Sequence, residues 1–215
     1  MKDYTQSRIR EFILDDHPCV MAQSVFADDT VQIQNYGKMD QDVTVVKLLD
    51  DLKKYVERQD HDSKNFESFI AVFKKDRFLE EKHFEDALWE LLHKLWALNN
   101  VPWDEKTSSD PASNEFSFSL HGTSFYLVGM HPMASRFARK SPYTMIVFNL
   151  HNQFEKLREI NRYTRVRDLI RRRDKEVQGS INPMLEDFGN SSEAMQYSGR
   201  AVSKAWKCPY QFEKS

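Results

Sequence analysis

Residues 116–131 read FSFSLHGTSFYLVGMH: an alternating apolar and polar run, a His121–Gly122 break, then a longer apolar run. Two strand-like runs about a Gly-containing break predict a β-hairpin with strands at 116–120 and 124–130. Residues 145–150, MIVFNL, are apolar almost throughout, which predicts a third strand covered on both faces and therefore central. FIAVF at 69–73, ended by Lys74, Lys75 and Asp76, predicts a further buried strand. Around these strands the period changes to that of a helix. Val45, Leu48, Leu49, Leu52, Tyr55 and Val56 mark one over 45–58 with a polar stop at 59–63, and Phe84, Leu88, Leu91, Leu92, Leu95 and Leu98 mark another over 81–98. His83 and His93 fall off that second stripe and are expected to be solvated.

Apolar positions from 154 to 169 step by three and drift around the cylinder, so 152–175 reads as helix broken near Asn161. Asn190 with Glu193 three later resembles a capping box and predicts a last helix over 191–204. Residues 100–114 and 179–189 read as loops, and about 1–60 as an N-terminal helical elaboration. The expectation is a single α+β domain, a mainly antiparallel sheet packed by helices.

Composition narrows the function classes. The 215 residues suffice for one core, and 40% hydrophobic with 30% charged residues is the balance of an ordinary globular chain. A formal net charge of -2 gives no global pull toward nucleic acid or an anionic membrane. No run of about 18 apolar residues and no signal-peptide pattern occurs, so a cytoplasmic protein without a membrane span is expected. In that compartment the two cysteines, Cys19 and Cys208, are expected as free thiols. They form no Cys-x-x-Cys pair, and the chain also lacks a Gly-rich phosphate loop, a Gly-x-Ser-x-Gly elbow and a His-Glu-x-x-His helix.

Two imidazoles carry the sharper signal. Alternation puts Phe125, Leu127, Gly129 and His131 on one side of their strand, and Met145, Val147, Asn149 and His151 on one side of theirs. Each strand thus ends in a histidine, a residue that serves as a metal or haem-iron ligand as well as a structural hydrogen bonder. Basic residues follow: Arg136, Arg139 and Lys140, then Arg158, Arg162, Arg165 and Arg167, the 171–173 arginine run, and Arg200. Most read as a solvated helix face. Arg173 continues the Val166, Leu169, Ile170 stripe, so a carboxylate or other anionic partner is expected for it.

Read in order, several blocks resemble the YqcI/YcgG family: HPCVMA at 17–22, FSFSL at 116–120, GMHPMASR at 129–136, VFNLHNQF at 147–154, IRRRD at 170–174, QGSINPML at 178–185, SEAMQYSGR at 192–200 and WKCPY at 206–210. Some members of that family are haem-dependent oxygenases that hydroxylate a guanidine nitrogen, including pre-guanitoxin N-hydroxylases. The resemblance implies haem b as cofactor, with O2, an external electron donor and a small guanidine- or amine-containing substrate such as arginine. It implies His131 as the axial iron ligand, with Ser135 and Arg136 in the same loop near the porphyrin edge; because a thiolate can also hold haem iron, Cys208 and Cys19 are second choices, and Arg173 and Arg200 are further candidates for the cofactor's carboxylates. Asn149, His151 and Arg158 would line the pocket, with His151 or Arg136 as the distal hydrogen-bond donor. Charge complementarity, rather than the resemblance, suggests that Glu193 would pair with the substrate cation, with Gln196 and Tyr197 orienting it. Three other readings stand beside this one: a non-haem iron oxygenase held by His131, His151 and Glu193, a non-catalytic haem-binding or sensing protein, and a cofactor-free basic surface for acidic partners.

Overall fold

The computed structural model describes residues 4–15, 17–59, 66–183 and 189–212. Parts of the expected stop at 59–63 and of the expected 179–189 loop lie outside them. In chain order the elements are α1 (Tyr4–Leu14), α2 (Val20–Ala27), β1 (Val31–Asn35), α3 (Asp42–Glu57), β2 (Ser68–Val72), α4 (Glu81–Leu98), β3 (Phe118–Leu120), β4 (Thr123–Met130), β5 (Met145–Leu150), α5 (His151–Glu159) and α6 (Tyr163–Gln178). Two 3-10 turns, Phe137–Arg139 and Glu193–Gln196, complete them. Among the described residues no helix is long and apolar enough to cross a membrane.

The hairpin forms where the break predicts it. His121 and Gly122 both take positive φ, 54° and 71°, the two-residue turn whose twist matches that of the strands it joins. The sheet order is β1-β2-β5-β4-β3, so β5 is central as its unbroken apolar run requires. All neighbours are antiparallel except β1 and β2, which run parallel. The N-terminal region is therefore not only helical: β1 adds an edge strand to the sheet. The result is a single α+β domain with a mixed sheet.

Register sorts the side chains into two layers. Phe69, Phe148 and Leu127 lie in one row across β2, β5 and β4, and Ile70, Val147 and Val128 in the next. The first row faces α3 and α4, where Leu48, Leu52, Phe84, Leu88 and Leu92 complete the main core. The second faces α1 and α2, where Ile9, Ile13 and Phe26 pack on Ile70, Met130 and Met145. Burying side chains of this size contributes about 1.5–3 kcal/mol each.

The C-terminal expectation is corrected. Instead of a helix over 191–204 there is only the Glu193–Gln196 turn, capped by Ser192, whose side chain accepts from Ala194 N. Gly199 takes φ 80°, and the chain runs on as an irregular strap. Aromatic burial holds it: Phe212 packs on Trp103, Phe116 and Phe118. His93 is half-buried rather than solvated, because Tyr210 of the strap stacks on it with ring centroids 4.5 Å apart. Buried Glu85 of α4 pins the strap's start, accepting from Ser198 Oγ, Arg200 Nε and Nη2, and Trp206 Nε1.

Candidate functional site

A cavity of about 250 Å3 lies on the second face of the sheet. Its floor is Ile70, Tyr126, Val128, Met145 and Val147 from the strands; Met21, Ala22 and Val25 of α2 close one side, and Leu157 and Ile170 of α5 and α6 the other. Alternation builds this floor, since Tyr126, Val128 and Met130 are the β4 residues that point away from α4. Small-molecule sites are of this kind, mainly apolar with a few convergent polar groups.

Cys19, Arg139 and Glu193 supply the polar groups with most chemical potential. Cys19 is the N-cap of α2, its Sγ accepting from Ala22 N at 3.5 Å. Burial pushes its thiol up, against the backbone N–H groups of Met21 and Ala22 and the charge of Arg139, which pull it down. Beside it His17 is fixed: Nδ1 accepts from Cys19 N at 3.2 Å, and Nε2 lies 3.1 Å from the Ala138 carbonyl and so carries the proton. Burial drives His17 down to about 4, so its imidazole is neutral at pH 7.

Glu193 is 5% exposed and has no Lys or Arg within 4 Å among the described residues. Its Oε2 is 3.3 Å from Tyr197 Oη, and its Oε1 is 3.7 Å from His151 Nδ1. Desolvation raises its carboxyl to about 8, against hydrogen bonds from Ser117 and Tyr197 and the charge of Arg158. At pH 7 this carboxyl is mostly protonated. Linkage then fixes the sign of its pH effect. Between its unfolded value near 4.5 and about 8 the folded chain holds a proton that the unfolded chain has lost, so stability falls as pH rises through that window. Glu193→Gln is expected to flatten the fall by a few kcal/mol, measured as urea stability at pH 5 and pH 8. An equal slope in the variant would assign the proton elsewhere.

The other expected site residues divide between cavity and scaffold. His151, Asn149, Arg158 and Arg136 line the cavity. His151 lies between Ser117, at 3.3 Å from Nδ1, and Glu155, at 3.4 Å from Nε2, and burial pulls its imidazole down. Asn149 accepts from Ser68 Oγ at 2.6 Å and donates to the Tyr126 carbonyl at 3.3 Å, so its amide brackets the sheet. Arg158 pairs with Glu155 and lies over the Tyr163 ring. Arg136 donates to Asp174 at 2.6 Å and to Ser180.

His131, Ser135, Arg173, Arg200, Gln196, Tyr197 and Cys208 do not line the cavity. His131 is wholly buried on the α4 face, 4.7 Å from the Phe84 ring, with neither ring nitrogen hydrogen-bonded, and burial lowers its imidazole. Ser135 hydrogen-bonds Glu81, and Arg200 pairs with Glu85. Tyr197 stacks on Trp89 within the main core, and Gln196 accepts from Tyr126 Oη at 2.6 Å. Arg173 finds an amide, Gln23 Oε1 at 2.8 Å, rather than the expected carboxylate. The α6 stripe buries Asp174 instead.

The two strand-end histidines are not neighbours. Because β4 and β5 are antiparallel, with Met130 opposite Met145 and Phe125 opposite Leu150, their carboxyl ends lie at opposite edges. At about 3.4 Å per residue His131 and His151 are on the order of 20 Å apart, and they face opposite layers. They cannot share one iron. Among the described residues no group of three or more His, Cys, Asp or Glu is placed to hold a metal ion.

Sequence reasoning passed over His17, Tyr126 and Arg139. Tyr126 was readable from alternation as the polar-tipped member of the opposite β4 face. Arg139 was visible only as one of a basic cluster.

The family model described as the YqcI/YcgG family matches residues 9–211, nearly the whole chain. No curated protein and no solved structure matches it.

Proposed function

The chain belongs to the YqcI/YcgG family, and from that premise and the cavity we propose that it is a haem-dependent N-hydroxylase of a small guanidine or amine. The observation that carries the reading is the apolar cavity into which a thiol, a buried guanidinium and a buried carboxylate all open. The donor set fits the cofactor. Apolar walls suit a porphyrin face, the Arg139 guanidinium suits one of its carboxylates, and Cys19, capping α2 at the cavity wall, suits the iron. His131, on the far face, does not.

Haem, when bound, supplies the O2-activating redox chemistry, with electrons from an external donor. The net reaction places one oxygen atom of O2 in an N–H bond. The other leaves as water, taking two electrons and two protons. The protein's part is to bind, orient and exclude water. Glu193 holds a proton at pH 7 and gives it up when a cationic guanidine or ammonium group arrives, because a positive charge at contact favours the carboxylate. Substrate affinity is therefore expected to rise with pH up to about 8, and Glu193→Gln to remove both the rise and most of the affinity. Gln196 fixes the Tyr126 hydroxyl in the floor, and Tyr197 sets the position of the Glu193 carboxyl.

Purified protein given one equivalent of haemin tests the reading. A Soret band saturating at one haem per chain, with O2 uptake that depends on a reductant and on an added guanidine such as arginine, is the expected result. A spectrum that remains that of free haemin overturns it. Haem binding without substrate-dependent O2 uptake would turn the assignment to a haem-binding or sensing protein.

A further inference from the structure

Arg139 is 5% exposed and stands on the cavity wall. Its Nη1 donates to the Gly129 carbonyl at 3.0 Å and the Tyr197 carbonyl at 3.5 Å. Both acceptors are neutral. Among the described residues neither Nε nor Nη2 has a partner, and no carboxylate lies within 4 Å of the guanidinium. The nearby acid is already used: Asp174 Oδ2 accepts from Arg136 at 2.6 Å and from Asn182 N at 2.8 Å. A buried guanidinium keeps its proton and is costly to hold without a counter-charge. Its stem is fixed as well, since a Cβ placed on Gly199 would come within 3.0 Å of Arg139 Cγ.

We propose that Arg139 anchors an anion subsite of the cavity, which takes a carboxylate group of the bound ligand. The subsite deepens the reading above, on which it rests for the identity of the ligand; the site itself rests on the cavity alone. Two free N–H directions on a rigid planar fork match a carboxylate bidentately. Two sources are open to it, a carboxylate of the porphyrin and the carboxylate of an amino-acid substrate. Arg136 and Arg200 cannot serve in the same way, as each already holds an acid of the protein.

Matched ligand pairs that differ only in the carboxylate test this, on wild type, Arg139→Met and Arg139→Lys. The pairs are haemin against its dimethyl ester, arginine against agmatine, and decanoate against decanol, each read by titration and by the shift in melting temperature of the apo protein. Wild type is expected to prefer at least one carboxylate partner by tenfold or more. Arg139→Met should bring that preference below twofold, and Arg139→Lys should retain part of it. Preference in the haemin pair assigns the subsite to the cofactor, and in the arginine pair to the substrate. Preference for decanoate in a protein that binds no haemin would keep the subsite and remove the haem reading. Haemin bound with no preference in any pair, or a preference unchanged in Arg139→Met, would overturn the subsite and leave the haem reading standing. With no ligand present, Arg139→Met should melt no lower than wild type, because it removes an uncompensated charge; a large drop would mean that Arg139 is only a bracket between β4 and the Tyr197 turn.

Discussion

Cys19→Ala should abolish stoichiometric haem uptake or move the reduced, CO-bound Soret band, whereas His131→Phe should leave both as they are in wild type. The thiol opens into the cavity from the N-cap of α2, where the Ala22 N–H already points at sulfur. A hydrogen bond to a ligating sulfur and the positive end of a helix both favour the thiolate. His131 lies behind the sheet against Phe84. Replacing it with a ring of similar size removes two buried nitrogens that have no partner, so the variant is expected to be at least as stable as wild type. Absorption spectra of the dithionite-reduced, CO-treated proteins decide the matter. Loss of the spectrum in His131→Phe with retention in Cys19→Ala would move the iron to the α4 side.

The largest stability effect is expected at Gly129. A Cβ there would come within 2.6 Å of the Tyr197 carbonyl oxygen and 2.8 Å of both Leu88 Cδ1 and Phe84 Cε1. The first is backbone and is tied in place, for the Gly129 N–H donates to that same oxygen at 2.7 Å. The strand and the Tyr197 turn touch backbone to backbone, and only a missing side chain allows it. Gly129→Ala is expected to cost about 3 kcal/mol or more, a fall of roughly 6–12 °C in Tm for a domain of this size. Calorimetry checks it; a shift of under 2 °C would show that the turn yields without cost. The loss should reach the site, because Tyr197 and Arg139 both meet at this junction.

The elements legible in the sequence are those whose burial follows one period. The α4 stripe and the unbroken β5 run gave their true bounds, 81–98 and 145–150, since each packs on one layer or is covered by two. The break near Asn161 is real, with φ 55° at that residue. β1 escaped because all five of its residues are only half-buried, and α2 because VMAQSVFA is apolar around most of its circumference. The strap after Ser198 has no period at all; its order comes from Glu85 and from aromatic rings far away in sequence.

The site was half legible for a related reason. Alternation placed Met145, Val147, Asn149 and His151 together correctly, and all line the cavity. It also grouped Phe125, Leu127, Gly129 and His131 correctly. What alternation within a strand cannot supply is register between strands and the choice of face. The antiparallel pairing of β4 with β5 separates the histidines, and the cavity-facing side of β4 is the one that carries Tyr126. Arg173 and Asp174 show the same limit on a helix, where a turn of one residue exchanges the rim for the interior.

Helix α6 buries one residue, Asp174, in sixteen, and that residue meets Arg136 across the cavity rim. A cavity wall that buries so little has a small free energy of local opening compared with the core of the sheet. Its amides should exchange with deuterium well ahead of those in β5 and α4, by a sub-global excursion that leaves the sheet folded. Asp174→Asn should speed that exchange without speeding exchange in the sheet. Exchange of α6 at the same rate as β5 would instead make that wall part of the global folding unit. In the first case entry to the interior is a kinetic property of one helix, tuned by the Arg136–Asp174 ion pair and separable from the stability of the protein as a whole.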